Sequence, residues 1–440
     1  MSDKKVVKDQ EAIYSVRHLH PGKVLLLGLQ HTFAMFGATV LVPLLTGLSV
    51  STTLLMAGLG TLLFHLITKG KVPAFLGSSF AFLGGYAAVA PLLADGSPNV
   101  EMLPYACGGV MVAGLVYVAL AALIRYFGAK AVMRFFPPVV TGPIIISIGL
   151  ILAPSAISNC QQNWGLALLA LAIIIICNIW GKGMVKIIPI MLAVVITYIV
   201  ALLTGNVDLS DVSKQALVAM PLNIESFAKF DASAIITIMP IALATMMEHI
   251  GDISAIGATT GKNYIANPGL HRTLIGDGLA TSISAMFGGP ANTTYGENTG
   301  VLALTKVYDP LVMQIAAVVA ILLSFFPIVE TIIGSIPPAI IGGVSLMLYG
   351  MISAVGIRNV VENRIDFSQT RNLIIAAVIL VSALGINEIG GISFTVANTT
   401  ITLSGLAIAA IAGILLNAIL PGNDYVFDTE EEHDELTFKV

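Results

Sequence analysis

Apolar residues run along this chain in stretches of about 20, the length that carries a helix across the hydrocarbon core of a bilayer. Fourteen such spans are legible, at 24–47, 52–68, 73–93, 104–126, 138–158, 164–180, 185–204, 233–256, 271–288, 291–306, 310–333, 338–356, 371–386 and 400–420. In lipid every backbone N–H and C=O needs a partner within the protein, which restricts spanning segments to helices and closed barrels. The pattern predicts an all-α polytopic membrane protein. The third and tenth spans stand apart. Each opens at a proline, Pro73 or Pro290, and each is rich in Gly, Ser, Thr or Asn early on.

Composition agrees with this pattern. The 440 residues are 56% hydrophobic and only 10% charged, against about 25% charged in soluble domains. Residues 1–23 are polar, and the run at 24–47 is too long for the apolar part of a cleaved leader. We expect it to be the first transmembrane helix. Cys107, Cys160 and Cys177 are isolated, without CxxC or metal spacing, so packing is their expected role and no metal is expected. HExxH, GxSxG and nucleotide-binding loops are missing as well, which argues against an enzyme and against a cofactor. A nucleic-acid partner is not expected either.

The charges fix a topology. With the N-terminus inside and one crossing per span, the inside segments hold 19 of the 21 Lys and Arg, leaving Lys214 and Lys229 outside. The outside loops carry acids instead: Asp95, Glu101, Asp208, Asp211, Glu225, Asp231, Glu330 and Glu388. This meets the positive-inside rule at every inside loop, and one miscounted span would reverse all later loops. Trp164 and Trp180 flank the sixth span as interfacial anchors, and the acidic tail after Pro421 reads as a solvated cytoplasmic end.

The halves echo each other. PPVVTGPIIISIG (137–149) matches PPAIIGGVSLMLYG (337–350), Pro73-Ala74 matches Pro290-Ala291, and His31 matches His249. Seven spans per half is odd, so the second half would enter from the opposite side, giving the inverted repeat of secondary transporters.

Glu248, His249, Asp252, Asp277 and Glu297 lie within spans. A charge at the bilayer centre costs about 2.5–3.5 kcal/mol on insertion scales, and a polar pathway is the default reason to retain several. Glu248 and Asp252 are four apart, on one helix face with Thr245. In PAFLGSSFAF, Pro73 and Gly77 disfavour a continuous helix, and Ser78 or Ser79 can cap a new start. In PANTTYGENTG, Pro290 and Gly296 act likewise, with Glu297 or Asn298 at the start. Each half-helix would aim free backbone N–H groups at the midplane. Two carboxylate acceptors facing two sets of N–H donors suit a uracil-like ring, whose ring N–H groups donate and whose carbonyls accept. Phe80 could stack on such a ring. An inorganic anion would be repelled unless both carboxylates were protonated.

Residues 297–306, Glu-Asn-Thr-Gly-Val-Leu-Ala-Leu-Thr-Lys, resemble the signature of the nucleobase–ascorbate transporters, or nucleobase:cation symporter-2 family. QHTFAMFGATVLVP (30–43), PAFLGSSFAF (73–82), EHIGD (248–252) and GGVSLMLYG (342–350) are similar to its bacterial uracil permeases. The similarity runs over nearly all of residues 20–420. It implies two inverted repeats of seven spans, with short antiparallel strands in spans 3 and 10. Residues 1–23 would be a cytoplasmic N-terminus, 24–127 and 233–334 a core domain, 128–205 and 335–420 a gate domain, 206–232 an extracellular loop, and 421–440 a cytoplasmic tail. By motif match Glu248 and Glu297 would bind ring N–H groups, and backbone N–H groups at Phe80 and Gly296 would meet the carbonyls. Tyr295, Ala38 and Tyr349 would line the pocket. Asn298, Gly300, Thr305 and Ser79 would serve as motif or structural positions. A homodimer through the gate domain is a further implication. One departure is Asp252, where some uracil permeases carry His.

Uracil is neutral near physiological pH, so concentrating it requires a coupled ion. A proton carried by Glu248, with Asp252, Glu297 and His31 as further coupling residues, is the expected choice, and sodium is its rival. The expected function is proton-coupled uracil import across the cell membrane. A purine or xanthine permease of the same family is the nearest alternative, and an anion transporter or channel on the same fold the next.

Overall fold

The computed structural model describes residues 12–91, 93, 97–210, 212–396 and 399–422. Lys4, Lys5, Lys8, Asp95, Asp211 and residues 423–440, which figured in the charge argument, lie outside the described residues.

The first half begins with α1 (Pro21–Thr46) and α2 (Val50–Ile67), followed by β1 (Leu76–Ser78) and the short α3 (Leu83–Val89). Then come α4 (Leu103–Phe127), α5 (Ala129–Met133), α6 (Pro138–Gln161), α7 (Trp164–Trp180), α8 (Met184–Ile187) and α9 (Pro189–Leu203). The second half holds α10 (Ala232–Ile238), α11 (Ile241–Thr260) and α12 (Leu270–Met286), then β2 (Asn292–Thr294) and α13 (Gly296–Thr305). It ends with α14 (Leu311–Ser324), α15 (Pro327–Gly334), α16 (Pro338–Glu362), α17 (Thr370–Glu388), β3 (Ile392–Val396), β4 (Thr399–Leu403) and α18 (Gly405–Ile419).

Among the described residues, 7 helices are long and apolar enough to cross a membrane, and 8 if the bent pair α14–α15 counts as one span. Shorter apolar helices α7, α9 and α18 accompany them. Apolar side chains also cover the outside, as lipid requires: Leu203, Val381 and Ile419 are more than 70% exposed. This is a multi-pass membrane protein.

Most predicted spans appear as helices; the seventh divides into α8 and α9 at Pro189, and three further spans differ. The eleventh (310–333) is two helices bent by 86°, because Pro327 has no N–H to continue α14 and instead opens α15. The eighth divides into α10 and α11 just before Pro240. The fourteenth starts later than expected. Residues 400–403, its expected start, lie instead in β4, which pairs with the preceding β3 from Ile392 opposite Leu403 to Val396 opposite Thr399. The run ISFTVANTTITL is rich in β-branched residues, which fit a pleated strand better than a helix.

The echoed Pro-Pro segments open α6 and α16, which pack along each other. Glycine permits the close approach: a Cβ on Gly149 would collide with the Tyr349 carbonyl, and one on Gly342 would lie 2.6 Å from the Cys160 nitrogen. Ser353 Oγ donates to Ile146 O at 2.9 Å, and Asn359 Nδ2 to Thr141 Oγ1 at 3.0 Å.

Candidate functional site

The proline-opened segments meet. β1 and β2 pair antiparallel, Leu76 opposite Thr294, Gly77 opposite Thr293 and Ser78 opposite Asn292. Ser79 N donates to Ala291 O at 2.8 Å and Tyr295 N to Phe75 O at 3.0 Å, which lengthens the ladder at both ends. Extended backbone at this depth survives only when the protein supplies every partner. Two threonines on flanking helices do so in mirrored fashion. Thr61 Oγ1 on α2 accepts from Leu76 N at 2.9 Å, and Thr281 Oγ1 on α12 accepts from Asn292 N at 3.2 Å. Asn292 Nδ2 donates to Met56 O at 3.2 Å, tying β2 to α2.

Ser78 and Ser79 do not cap a helix, contrary to the sequence expectation. Ser78 sits in β1, and α3 starts at Leu83 after Phe82 without a side-chain cap. The Ser78 hydroxyl instead donates to Thr39 O at 2.8 Å, beside Ala38 on α1. Tyr295 OH donates to Ser78 O at 3.0 Å, laying its ring across Gly77. On the other half-helix the expectation holds. Tyr295 is the N-cap of α13, Gly296 its first residue, and Glu297 lies in the first turn. The free N–H groups of that turn, with their partial positive charge, face the region of the strand ends.

Glu248 reaches this point from α11, which packs on α13. Its charge lies within interaction range of Glu297 and Asp277. Glu248 Oε2 is buried and meets no hydrogen-bond partner in the protein. Asp252, one turn on, accepts from Thr294 Oγ1 at 2.9 Å and lies 3.9 Å from where a Gly296 Cβ would stand. Phe80 follows β1 and meets Tyr349 of α16 edge to face, with ring centroids 6.2 Å apart. Ala38, Phe80, Glu248, Asp252, Tyr295, Gly296, Glu297 and Tyr349 therefore gather at one locus. A planar ring with donors and acceptors on opposite edges fits what they offer: carboxylate acceptors, backbone donors and an aromatic wall.

The other candidates stand further out. His31 on α1 is buried beside Asn298, whose Nδ2 donates to His31 Nδ1 at 3.1 Å and to His31 O at 3.2 Å. An amide nitrogen can only donate, so the His31 proton sits on Nε2. Asn298→Ala is expected to leave His31 Nδ1 buried without this donor and to lower stability by about 1–3 kcal/mol, read as a lower midpoint of thermal unfolding in detergent. Thr305 lies at the far end of α13, donating to Val301 O at 2.8 Å, and belongs to the helix terminus, away from the pocket. His249 and Asp277 form a fully buried pair, Nδ1 to Oδ2 at 2.9 Å, linking α11 to α12. His65 Nε2 donates to Ala74 O at 2.9 Å and steadies the entry to β1.

The space around the locus is lopsided. A cavity of about 480 Å³ is lined by Phe33, Ala34, Glu297, Gly300 and Leu304 on one side, and by Asn178, Lys186, Ile190 and Met351 on the other. Toward the opposite ends of the helices, Phe80, Gly84, Ile148, Ile241, Asn387 and Ser404 close around about 10 Å³. Sequence reasoning missed Thr61, Thr281, Thr294 and Asn292. For Thr61 and Thr281 the signal was a polar residue inside an apolar run, and for Asn292 and Thr294 their place in the interrupted segment after Pro290, neither of which says what they hold.

Paired interrupted segments in a helical membrane bundle, with carboxylates converging on them beside one open cavity, define a membrane transporter rather than an enzyme. A family profile described as "Permease family" matches residues 22–392, and the chain belongs to that family, the nucleobase:cation symporter-2 group. It is 43% identical over 417 residues to a uracil permease of Bacillus caldolyticus, covering 91% of this chain and 93% of that one. It is 41% identical over 423 residues to a uracil permease of Bacillus subtilis, covering 92% and 94%. Among solved structures, the transmembrane domain of the cyanobacterial bicarbonate transporter BicA is similar with a TM-score of 0.62 at 16% identity, covering 92% of this chain and 99% of that one. SLC26A9 is similar with a TM-score of 0.64 at 12% identity, covering 92% and 66%. At such identities these structures share the fold.

Proposed function

We propose that this protein imports uracil across the cell membrane together with a proton. The convergence of Glu248 and Glu297 on the β1–β2 ends carries this reading, and the kinship with uracil permeases supports it. We further propose fourteen passages in two inverted repeats, with both termini cytoplasmic. Residues 24–127 and 233–334 form the core domain, and residues 128–205 and 335–420 the gate domain. The mirrored bracing of β1 by Thr61 and β2 by Thr281 supports the inverted repeat. The sites are those gathered at the locus: Glu248 and Glu297 for the ring N–H groups, the backbone N–H groups of Phe80 and Gly296 for the carbonyls, and Tyr295, Ala38 and Tyr349 as walls. A homodimer through the gate domain completes the proposal.

On this reading Glu248 takes a proton from outside, uracil binds, and the core moves against the gate. The cavity beside Glu297 then opens to the cytoplasm, and the charge pattern supports that side: Lys186 at its rim belongs to the basic inside loops. Coupling requires proton and nucleobase to favour each other's binding, a reciprocal linkage. Two carboxylates at the site disfavour an inorganic anion, although solved anion transporters share the fold.

The test is uptake of labelled uracil into proteoliposomes. Accumulation is expected under an inward proton gradient, is abolished by a protonophore, and is insensitive to sodium. Accumulation driven by sodium, or displacement of uracil by xanthine or adenine at lower concentration than by uracil itself, would overturn the assignment.

A further inference from the structure

Lys186 has no place in the pocket just described, yet it opens onto the same cavity as Glu297. Its position comes from the tight connection between α7 and α9, GKGMVKIIP. A Cβ on Gly181 would strike the Cys177 carbonyl, and Gly183 adopts φ 57, so glycine suits both turns. Pro189 then starts α9, leaving the four-residue α8 packed against α1 and α13. At Gly37, α1 comes close enough to α9 that a Cβ there would meet the Ile190 side chain 3.3 Å away at its own Cβ. The two sets of helices thus touch beside the cavity, with Glu297 on one set and Lys186 on the other. The positive-inside rule explains a lysine in this loop, but it does not explain one lining the cavity that holds the pocket's acid. Lys182, four residues earlier, does not line it.

We propose that Lys186 is a positioning residue for release. Facing the cavity that opens beside Glu297, it offsets the negative charge that Glu248 and Glu297 share once the proton carried by Glu248 departs inward, and so favours the empty pocket on the inner side. In this step the carboxylic O–H bond breaks, the proton passes to water in the cavity, the bonding pair stays on the carboxylate, and nothing is oxidised or reduced. Glu248 and Asp252 on α11 and Tyr295 before α13 lie within interaction range of Glu297, and Lys186 on α8 lines the cavity that Glu297 enters. Lys186 is the only Lys or Arg among the residues that line this cavity. The inference rests on the proton-coupled reading above.

The experiment compares two modes of transport in proteoliposomes. Net uptake down a proton gradient needs the proton to leave inside. Exchange of external labelled uracil for internal uracil at equal pH returns with the site loaded and does not. Lys186→Gln is expected to slow net uptake about tenfold, the effect of one unit charge acting through a partly wet cavity, and to leave exchange within about twofold of the unsubstituted protein. Raising the internal pH should restore its net uptake, and Lys186→Arg should behave as the unsubstituted protein. Equal loss of both modes, or no change in either, would overturn the role of Lys186 while leaving the transport reading intact. Failure of the unsubstituted protein to exchange uracil would overturn that reading, and this inference with it.

Discussion

Glu248→Gln and Glu297→Gln are each expected to reduce proton-driven uracil uptake by at least about thirtyfold. Removing one partner of a buried charged hydrogen bond costs about 2–5 kcal/mol. A factor of ten corresponds to about 1.4 kcal/mol. Glutamine keeps the shape of glutamate but replaces one acceptor oxygen with a donor. A ring N–H would then face an amide N–H, and the proton-accepting group would be gone. Initial rates of labelled uracil uptake, normalised to the amount of reconstituted protein, read the effect. Proton-driven accumulation at the unsubstituted level by either variant would remove the basis for the site.

Gly77→Ala is expected to damage the pocket and the fold together. The Tyr295 ring crosses this glycine, and an added Cβ would lie 2.6 Å from the Tyr295 hydroxyl and closer still to its ring carbons. The ring cannot swing aside cheaply, because its hydroxyl is held by Ser78 on the same strand. Overpacking of this kind costs about 1–3 kcal/mol, and displacement of Tyr295 also moves Gly296 and Glu297 behind it. A lower unfolding midpoint together with loss of stabilisation by uracil is expected, measured on purified protein. The control is Gly300→Ala, where no heavy atom lies within 4 Å of the new methyl; it should leave the midpoint unchanged. Combining Gly77→Ala with Tyr295→Ala should cost less than the sum of the two, because the clash partner is gone.

Much of this was legible in the sequence because membrane helices announce themselves by length and apolarity. The breaks at Pro73 and Pro290 were equally plain, since proline and glycine within an apolar run conflict with a continuous helix. That the breaks become short antiparallel strands was legible only through the family resemblance, which the β1–β2 pair bears out. Whether Ser78 caps a helix or lies in a strand depends on β2, more than 200 residues away, and no local pattern reports that pairing. The same holds for Thr61 and Thr281, which become meaningful only when the strands they brace are in place. The β3–β4 pair was overlooked because residues 392–399 fell between two expected spans and 400–403 were counted as the apolar start of the fourteenth. The carboxylates were legible because a charge within an apolar span demands an explanation. Lys186 was not, because a lysine in a loop between two apolar spans is ordinary until the cavity beside it is seen.

The most direct test is a structure determined with uracil bound. The account predicts the ring between Phe80 and the start of α13, its N–H groups within hydrogen-bond distance of the Glu248 and Glu297 carboxylates, and its carbonyls at the backbone N–H groups of Phe80 and Gly296. Uracil seated elsewhere, with either carboxylate turned away from the ring, would contradict it.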